Sequence, residues 1–263
     1  MANDGLPEAT RRLAAAGCVA PREEAQELAV AAEAMRQVLS TLVTRRTTGE
    51  PLAWITGTVQ FCGCSVTISP GVFVPRWHSE QLAVRAAELL PPRGRAIDLG
   101  TGSGAVARVL LDRNPAASVI GTERDPVAAA CARRNGVTVV EGDLFGAVPV
   151  SWMGRVDVVA AILPYVPTAE IAYLARDVRD YEPRSALDGG QDGLEFVRRA
   201  VAQASDWLGH GGHLLLEIGG DQAKSLAPDL ERAGLTVVQV LFDEDGDPRG
   251  LEAVAPSARK GGH

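Results

Sequence analysis

The residues with chemical potential sit at the ends of short apolar runs. In Ile97-Asp-Leu-Gly-Thr-Gly-Ser-Gly104, Gly100, Gly102 and Gly104 separate a strand-like run from a helix-like one. Glycine at such a turn lets backbone N–H groups approach a ligand at a helix N-terminus. The spacing Gly100, Gly102, Ala105 also satisfies the dinucleotide-binding fingerprint, and a tight turn without ligand is the plain alternative. Glu123 closes the next run 19 positions beyond Gly104, where a carboxylate can accept both hydroxyls of a ribose. Asp143 ends a third run, placed either to meet an adenine amino group or to make an Asx turn. Asp125, with Pro126 behind it, reads instead as a helix N-cap. A fourth run, Val156 to Leu163, passes into Pro164-Tyr165, and its far end carries no acid, base or nucleophile.

These groups need a scaffold that brings strand ends together. Seven strand candidates follow Arg95: Arg95 to Gly100, Ser118 to Glu123, Val137 to Asp143, Val156 to Leu163, His213 to Gly219, Leu235 to Phe242 and Leu251 to Ala255. Runs apolar on both faces and separated by helical stretches indicate a mostly parallel α/β sheet, whose carboxyl edge is where open sheets bind ligands. The last two runs are joined by an acidic hairpin turn. Pro248 stands where a calcium loop needs glycine, so Asp243, Asp245 and Asp247 are read as solvated. Before Arg95, apolar positions Leu28, Ala31, Met35, Val38 and Leu42 predict one amphipathic helix from Pro21 to Arg46. A shorter helix spans Glu8 to Ala16, a strand pair lies within Leu52 to Pro75, and a helix runs from His78 to Leu90. The expected division is a helical domain over 1–48, a hairpin and helix linker over 49–92, the main domain over 93–256 and a flexible tail over 257–263.

Composition narrows the classes. At 263 residues and 46% hydrophobic content, one sizeable core with a small appendage is expected. A net charge of -7 supplies no basic field for phosphate backbones or anionic membrane, which disfavours nucleic acid. No apolar run reaches membrane-spanning length and the N-terminus lacks an apolar signal segment, so a soluble cytoplasmic protein is expected. Cys18, Cys62, Cys64 and Cys131 form no paired framework and are read as reduced thiols. His78, His210, His213 and His263 complete no ligand spacing, so no metal is expected.

The stretch from Asp98 to Gly104, then Glu123, Asp143 and a fourth strand ending in Pro164-Tyr165, resembles the S-adenosylmethionine-dependent methyltransferases. Gly49 to Gly57, Phe73 to Glu80, Asp177 to Phe196 and Leu214 to Gly219 are similar, in the same order, to the release-factor glutamine methyltransferases of the HemK type. The resemblance implies a Rossmann-like seven-stranded methyltransferase sheet behind a small N-terminal helical domain. It implies S-adenosylmethionine held by Gly100, Thr101, Gly102, Ser103, Gly104, Glu123, Asp143 and Leu144. Glutamine of a peptide chain release factor is the implied acceptor, at a catalytic corner made by Ile162, Leu163, Pro164 and Tyr165.

That corner departs from the family's Asn-Pro-Pro-Tyr. In the family, the asparagine side chain and the next carbonyl accept the two hydrogens of the substrate amide, whose delocalised lone pair makes orientation important. Ile162 can accept nothing, and Leu163 adds an N–H that proline lacks. Losing one preorganised partner costs ~2.7–4 kcal/mol. Three outcomes remain open: glutamine methylation, methylation of a small molecule or another protein, and cofactor binding without transfer. Trp77 and His78 also replace the family's proline and acid; His78 is read as a helix-start residue partly exposed beside the site, with a compensating base or acceptor as the alternative. Glu182 is read as a support for the loop over it.

Overall fold

The computed structural model describes residues 5–257; His263 and the tail from 258 onward lie outside the described residues. The N-terminal helices are α1 (Leu6–Ala15), α2 (Pro21–Met35) and α3 (Leu39–Thr47). Leu13, Leu28, Leu42 and Val43 interlock in a small core of their own. The single helix expected over 21–46 is therefore two. Arg36 takes a left-handed conformation (φ 55°) that ends α2, with Gln37 N–H returning to the Ala32 carbonyl as in helix-terminating turns. Met35 and Val38, counted toward the apolar face, are 39% and 67% exposed. The break lets α3 fold back so that Leu42 reaches Leu13.

A short helix, α4 (Leu52–Thr56), then precedes the hairpin β1 (Thr58–Phe61) and β2 (Cys64–Thr67). Ile55 and Leu52 of α4 pack into the N-terminal core, whereas Ala53 and Trp54 pack into the core of the main sheet. Cys62 and Gly63 form the hairpin turn, so Cys62 and Cys64 flank a bend rather than share a strand; all four cysteines are free. One 3-10 turn over Trp77–Ser79 leads into α5 (Glu80–Leu89).

All seven expected strands form one sheet. In chain order its elements are β3 (Arg95–Leu99), α6 (Ala105–Arg113), β4 (Ser118–Glu123), α7 (Pro126–Arg134), β5 (Val139–Glu141), β6 (Val156–Ala161), α8 (Arg176–Arg179), α9 (Glu195–Trp207), β7 (Leu208–Glu217), α10 (Gln222–Arg232), β8 (Thr236–Phe242) and β9 (Pro248–Val254). The strand order is β5-β4-β3-β6-β7-β9-β8, parallel through β7 and antiparallel for β9 and β8. Every residue of β3 after Arg95 is buried, as is most of β6, which is why these runs read as continuous apolar segments. Helix α7 begins as its sequence indicates: the Asp125 carboxylate accepts the Val127 N–H at 2.8 Å, with Pro126 in the first turn. The chain winds outward from β3 in one direction and resumes at β6 on its other side. This switch point brings the turn after β3 next to the end of β6, where a crevice opens.

The N-terminal helices are tied to the wall of that crevice. Arg46, nearly buried, donates to Glu24 at 2.6 Å and to Asp177 of α8 at 3.3 Å. Tyr181 donates its hydroxyl to the Thr48 carbonyl at 3.0 Å. Asp243, at the β8–β9 turn, accepts two turn N–H groups and the Arg249 guanidinium at 2.7 Å. Among the described residues no helix is long and apolar enough to cross a membrane.

Candidate functional site

The cleft of about 250 Å³ lies at the carboxyl ends of β3, β4, β5 and β6. Its floor is the glycine turn, in which Gly100, Gly102 and Gly104 have φ of 66°, 56° and 84°, values that a residue with a Cβ adopts only at a cost. The turn is pinned from below. Asp98, buried, accepts the Thr101 hydroxyl at 2.6 Å and the Ala107 N–H at 3.1 Å, coupling the strand end to the first turn of α6. Burial pushes the Asp98 carboxyl up to about 7, with those hydrogen bonds opposing and the nearby Glu123 charge reinforcing the rise.

Glu123 closes the turn from the side. Its Oε2 accepts the Gly102 N–H at 3.0 Å, and its Oε1 accepts the N–H groups of Arg124 and Asp125 at 2.8 and 2.9 Å. Two carboxylate oxygens offer about four lone-pair positions, so Oε2 keeps capacity for a ligand hydroxyl. Gly102 borders the cleft with only the Gly100 carbonyl near its missing Cβ, at 3.9 Å. The Thr122 hydroxyl is buried on the cleft wall, without a hydrogen-bond partner among the described residues. Val72, Phe73, Leu144 and Phe196 supply apolar walls. An open backbone cradle, a carboxylate for a diol and apolar faces for a ring fit S-adenosylmethionine.

Not every expected cofactor residue faces this space. Gly100, Gly102, Glu123, Asp143 and Leu144 line it. The Thr101 hydroxyl turns down to Asp98, Ser103 is buried with its carbonyl held by Asn135 at 2.8 Å, and Gly104 packs against Ala132 and Val137. These three shape the turn. Asp143 pairs with Arg199 of α9, whose guanidinium stacks on the Phe196 ring that Arg124 covers from 4.8 Å.

The other end of the cleft is formed by Ile162, Leu163, Pro164 and Tyr165. Ile162 packs half-buried against the sheet's core, and Leu163 reaches beneath Gly100. Neither side chain carries a polar atom, so acceptors here are backbone carbonyls and what surrounds them. A glycine-rich loop clamps the segment: Cβ atoms on Gly189 and Gly193 would lie 2.6 Å from the Pro164 carbonyl oxygen and 2.1 Å from that of Tyr165. Gln222 donates to the same Tyr165 oxygen at 2.9 Å.

Titratable groups gather around Tyr165. The His78 Nε2 is 3.5 Å from the Tyr165 hydroxyl and 3.6 Å from Glu217 Oε1. Glu217 ends β7 with its side chain 1% exposed, and among the described residues neither oxygen meets a partner in hydrogen-bond geometry. Burial, then the Glu217 charge, raises the Tyr165 phenol and keeps it protonated. Arg76 donates to Glu182 at 2.6 Å, and burial lifts the Glu182 carboxyl to about 7 against that pull. His78 sits in the turn that starts α5, partly exposed, and its side chain lies in the cleft wall. In the sequence Glu217 is a lone carboxylate ending the otherwise apolar run of Leu214 to Gly219, the one signal that marks it. The glycines at 189 and 193 carried no comparable one.

No family model matches the chain. A release factor glutamine methyltransferase from Geobacter sulfurreducens is 39% identical over 214 residues, covering 79% of this chain and 74% of that protein. Another of the same name, from Cereibacter sphaeroides, is 35% identical and covers 98% and 99%. Among solved structures, a methyltransferase from Pyrococcus furiosus aligns with TM-score 0.56 at 21% identity, over 74% of this chain and 90% of that one. A ribosomal protein L11 methylase from Lactobacillus delbrueckii subsp. bulgaricus aligns with TM-score 0.53 at 19% identity, over 73% and 86%. These two show the fold. Identity sustained from the N-terminal helices to the last strand shows the rest: the chain belongs to the release factor glutamine methyltransferase family, whose methyl donor is S-adenosylmethionine.

Proposed function

We propose that this chain methylates the side-chain amide nitrogen of a glutamine in a peptide chain release factor. The observation that carries the reading is the adjacency of β3 and β6, which sets the carbonyl of Ile162 and the side chain of Leu163 beside the glycine turn. The bound cofactor supplies a methyl group activated by a positively charged sulfur. Gly100 and Gly102 hold it through the backbone, Glu123 takes its ribose hydroxyls, and Asp143 with Leu144 borders its adenine. The strand-end carbonyls accept amide hydrogens and aim the nitrogen. Ile162 and Leu163 exclude water from the path, which strengthens the remaining polar contacts. Of the division into 1–48, 49–92 and 93–256, the described residues of the first part form a helical unit, the second a linker and the third the catalytic unit, and the enzyme works in the cytoplasm with its substrate.

The test is mass spectrometry of a purified release factor after incubation with the protein and methyl-labelled cofactor. The expected result is one added methyl on one glutamine. Label on another residue, or none, overturns the reading. The apolar Ile162 side chain favours a second reading, a small-molecule or other protein acceptor, and label in that fraction of a cell extract supports it.

A further inference from the structure

A nitrogen that gains a methyl group and ends neutral must shed a proton, and the acceptor end of the cleft offers few places for it. Among the described residues, the titratable side chains lining that end are Arg76, His78 and Tyr165. Arg76 is a permanent cation engaged by Glu182. Tyr165 keeps its phenolic proton. The imidazole of His78 is the remaining group there with a free lone pair.

Its orientation follows from what lies behind it. A buried carboxylate with no hydrogen bond is costly, and Glu217 is in that condition with Oε1 3.6 Å from the His78 Nε2. That distance is long for a hydrogen bond, although such contacts at catalytic sites commonly tighten only when substrate is present. Nε2 faces two oxygens able to accept, the Glu217 carboxyl at 3.6 Å and the Tyr165 hydroxyl at 3.5 Å, which favours the tautomer with its proton on Nε2 and leaves Nδ1 as the acceptor. Among the described residues no group bonds Nδ1.

We propose that His78 receives the proton shed by the acceptor nitrogen, with Glu217 as a positioning residue that fixes the imidazole tautomer. The nitrogen lone pair forms the new N–C bond while the S–C pair stays on the departing sulfur. The N–H pair reverts to nitrogen, and the proton binds Nδ1 and passes to solvent. The proposal rests on amide methylation as the reaction.

The experiment combines kinetics with a substrate-free readout. With a release factor as substrate, His78→Ala is expected to lower kcat by about 10²–10⁴-fold, with KM and S-adenosylhomocysteine affinity retained and free imidazole restoring part of the rate. His78→Asn, a polar replacement that cannot take the proton, guards against misfolding and is expected to fail equally at wild-type melting temperature. Independently, ¹⁵N NMR of protein saturated with S-adenosylhomocysteine is expected to find His78 protonated on Nε2, and Glu217→Gln to move population to the Nδ1–H form. Wild-type kcat in either His78 variant, or no rescue of the alanine variant by imidazole, overturns the proposal. So does an Nδ1–H tautomer in the wild type. If the wild type methylates no release factor, the substrate reading falls, and the tautomer measurement alone decides the assignment.

Discussion

Gly193 offers a sharp test of how the proposed methyl-acceptor corner is held. Its φ is 75°, and a Cβ there would sit 2.1 Å from the Tyr165 carbonyl oxygen and 2.5 Å from Gln222 Nε2. Gly63 in the β1–β2 turn has nearly the same φ, 78°, with nothing within 4 Å. Replacing either by alanine incurs the left-handed conformational cost of about 1–2 kcal/mol. Only Gly193→Ala adds a collision with main chain, worth about 1–3 kcal/mol as overpacking. It also loses the 2.9 Å hydrogen bond from Gln222 to Tyr165, about 1 kcal/mol more. The difference between the two variants is therefore ~2–4 kcal/mol in urea unfolding. Because the shift falls on residues 164–165, kcat should drop by about 10²-fold, while S-adenosylhomocysteine affinity, set at Gly100 to Glu123, stays at the wild-type value. Equal destabilisation of the two variants within about 0.5 kcal/mol, or full kcat in Gly193→Ala, would refute the clamp.

Other outcomes follow from groups at the cofactor end and the strand tip. Glu123→Ala should weaken S-adenosylhomocysteine binding by about 1.5–3 kcal/mol, read by calorimetry, since hydrogen bonds to a charged carboxylate are lost. Asp98, raised to about 7, is protonated when folded while its unfolded counterpart ionises near 3.9. The stability it confers is thus complete below about pH 4 and is lost as pH rises through about 7. Urea midpoints should fall across that window, and less steeply in Asp98→Asn; Glu182, also raised to about 7, sustains the residual slope. Stability that climbs from pH 4 to 7 contradicts this. Ile162→Asn with Leu163→Pro restores a side-chain acceptor and should raise kcat on a release-factor glutamine by up to about 10²-fold, compared at equal folded fraction. No gain would mean that the carbonyls and His78 already suffice.

The sheet was legible because its central strands are buried on both faces, so apolar runs such as Val156 to Leu163 mark themselves. Asp125 with Pro126 announced a helix start for an equally local reason, a side chain capping its own turn. Periodicity failed where a turn interrupts it. Met35 and Val38 keep helical spacing, yet both face solvent because the chain reverses between them and Leu42 must reach Leu13. Strand-end carboxylates pointed to the proposed cofactor end and the resemblance to the proposed acceptor corner, whereas the contacts that hold that corner could not be read. Gly193 matters through Tyr165, 28 positions earlier, and Glu217 through His78, 139 positions earlier. Such pairs exist only after the sheet has assembled.

Helix α4 has a bearing on how the molecule comes apart. Its five residues divide their side chains, Ile55 and Leu52 on one side, Ala53 and Trp54 on the other, and Trp54 also donates its indole N–H to the Val72 carbonyl at 2.9 Å. Ile55 is 1% exposed, so peeling the first three helices away uncovers it, and fraying the β1–β2 hairpin loosens Trp54. The amides of α4 are therefore guarded by both bodies at once. Their hydrogen exchange should proceed only through the larger openings, and a nick at 48–50 should release a fragment that has lost part of its own interior rather than a self-sufficient piece.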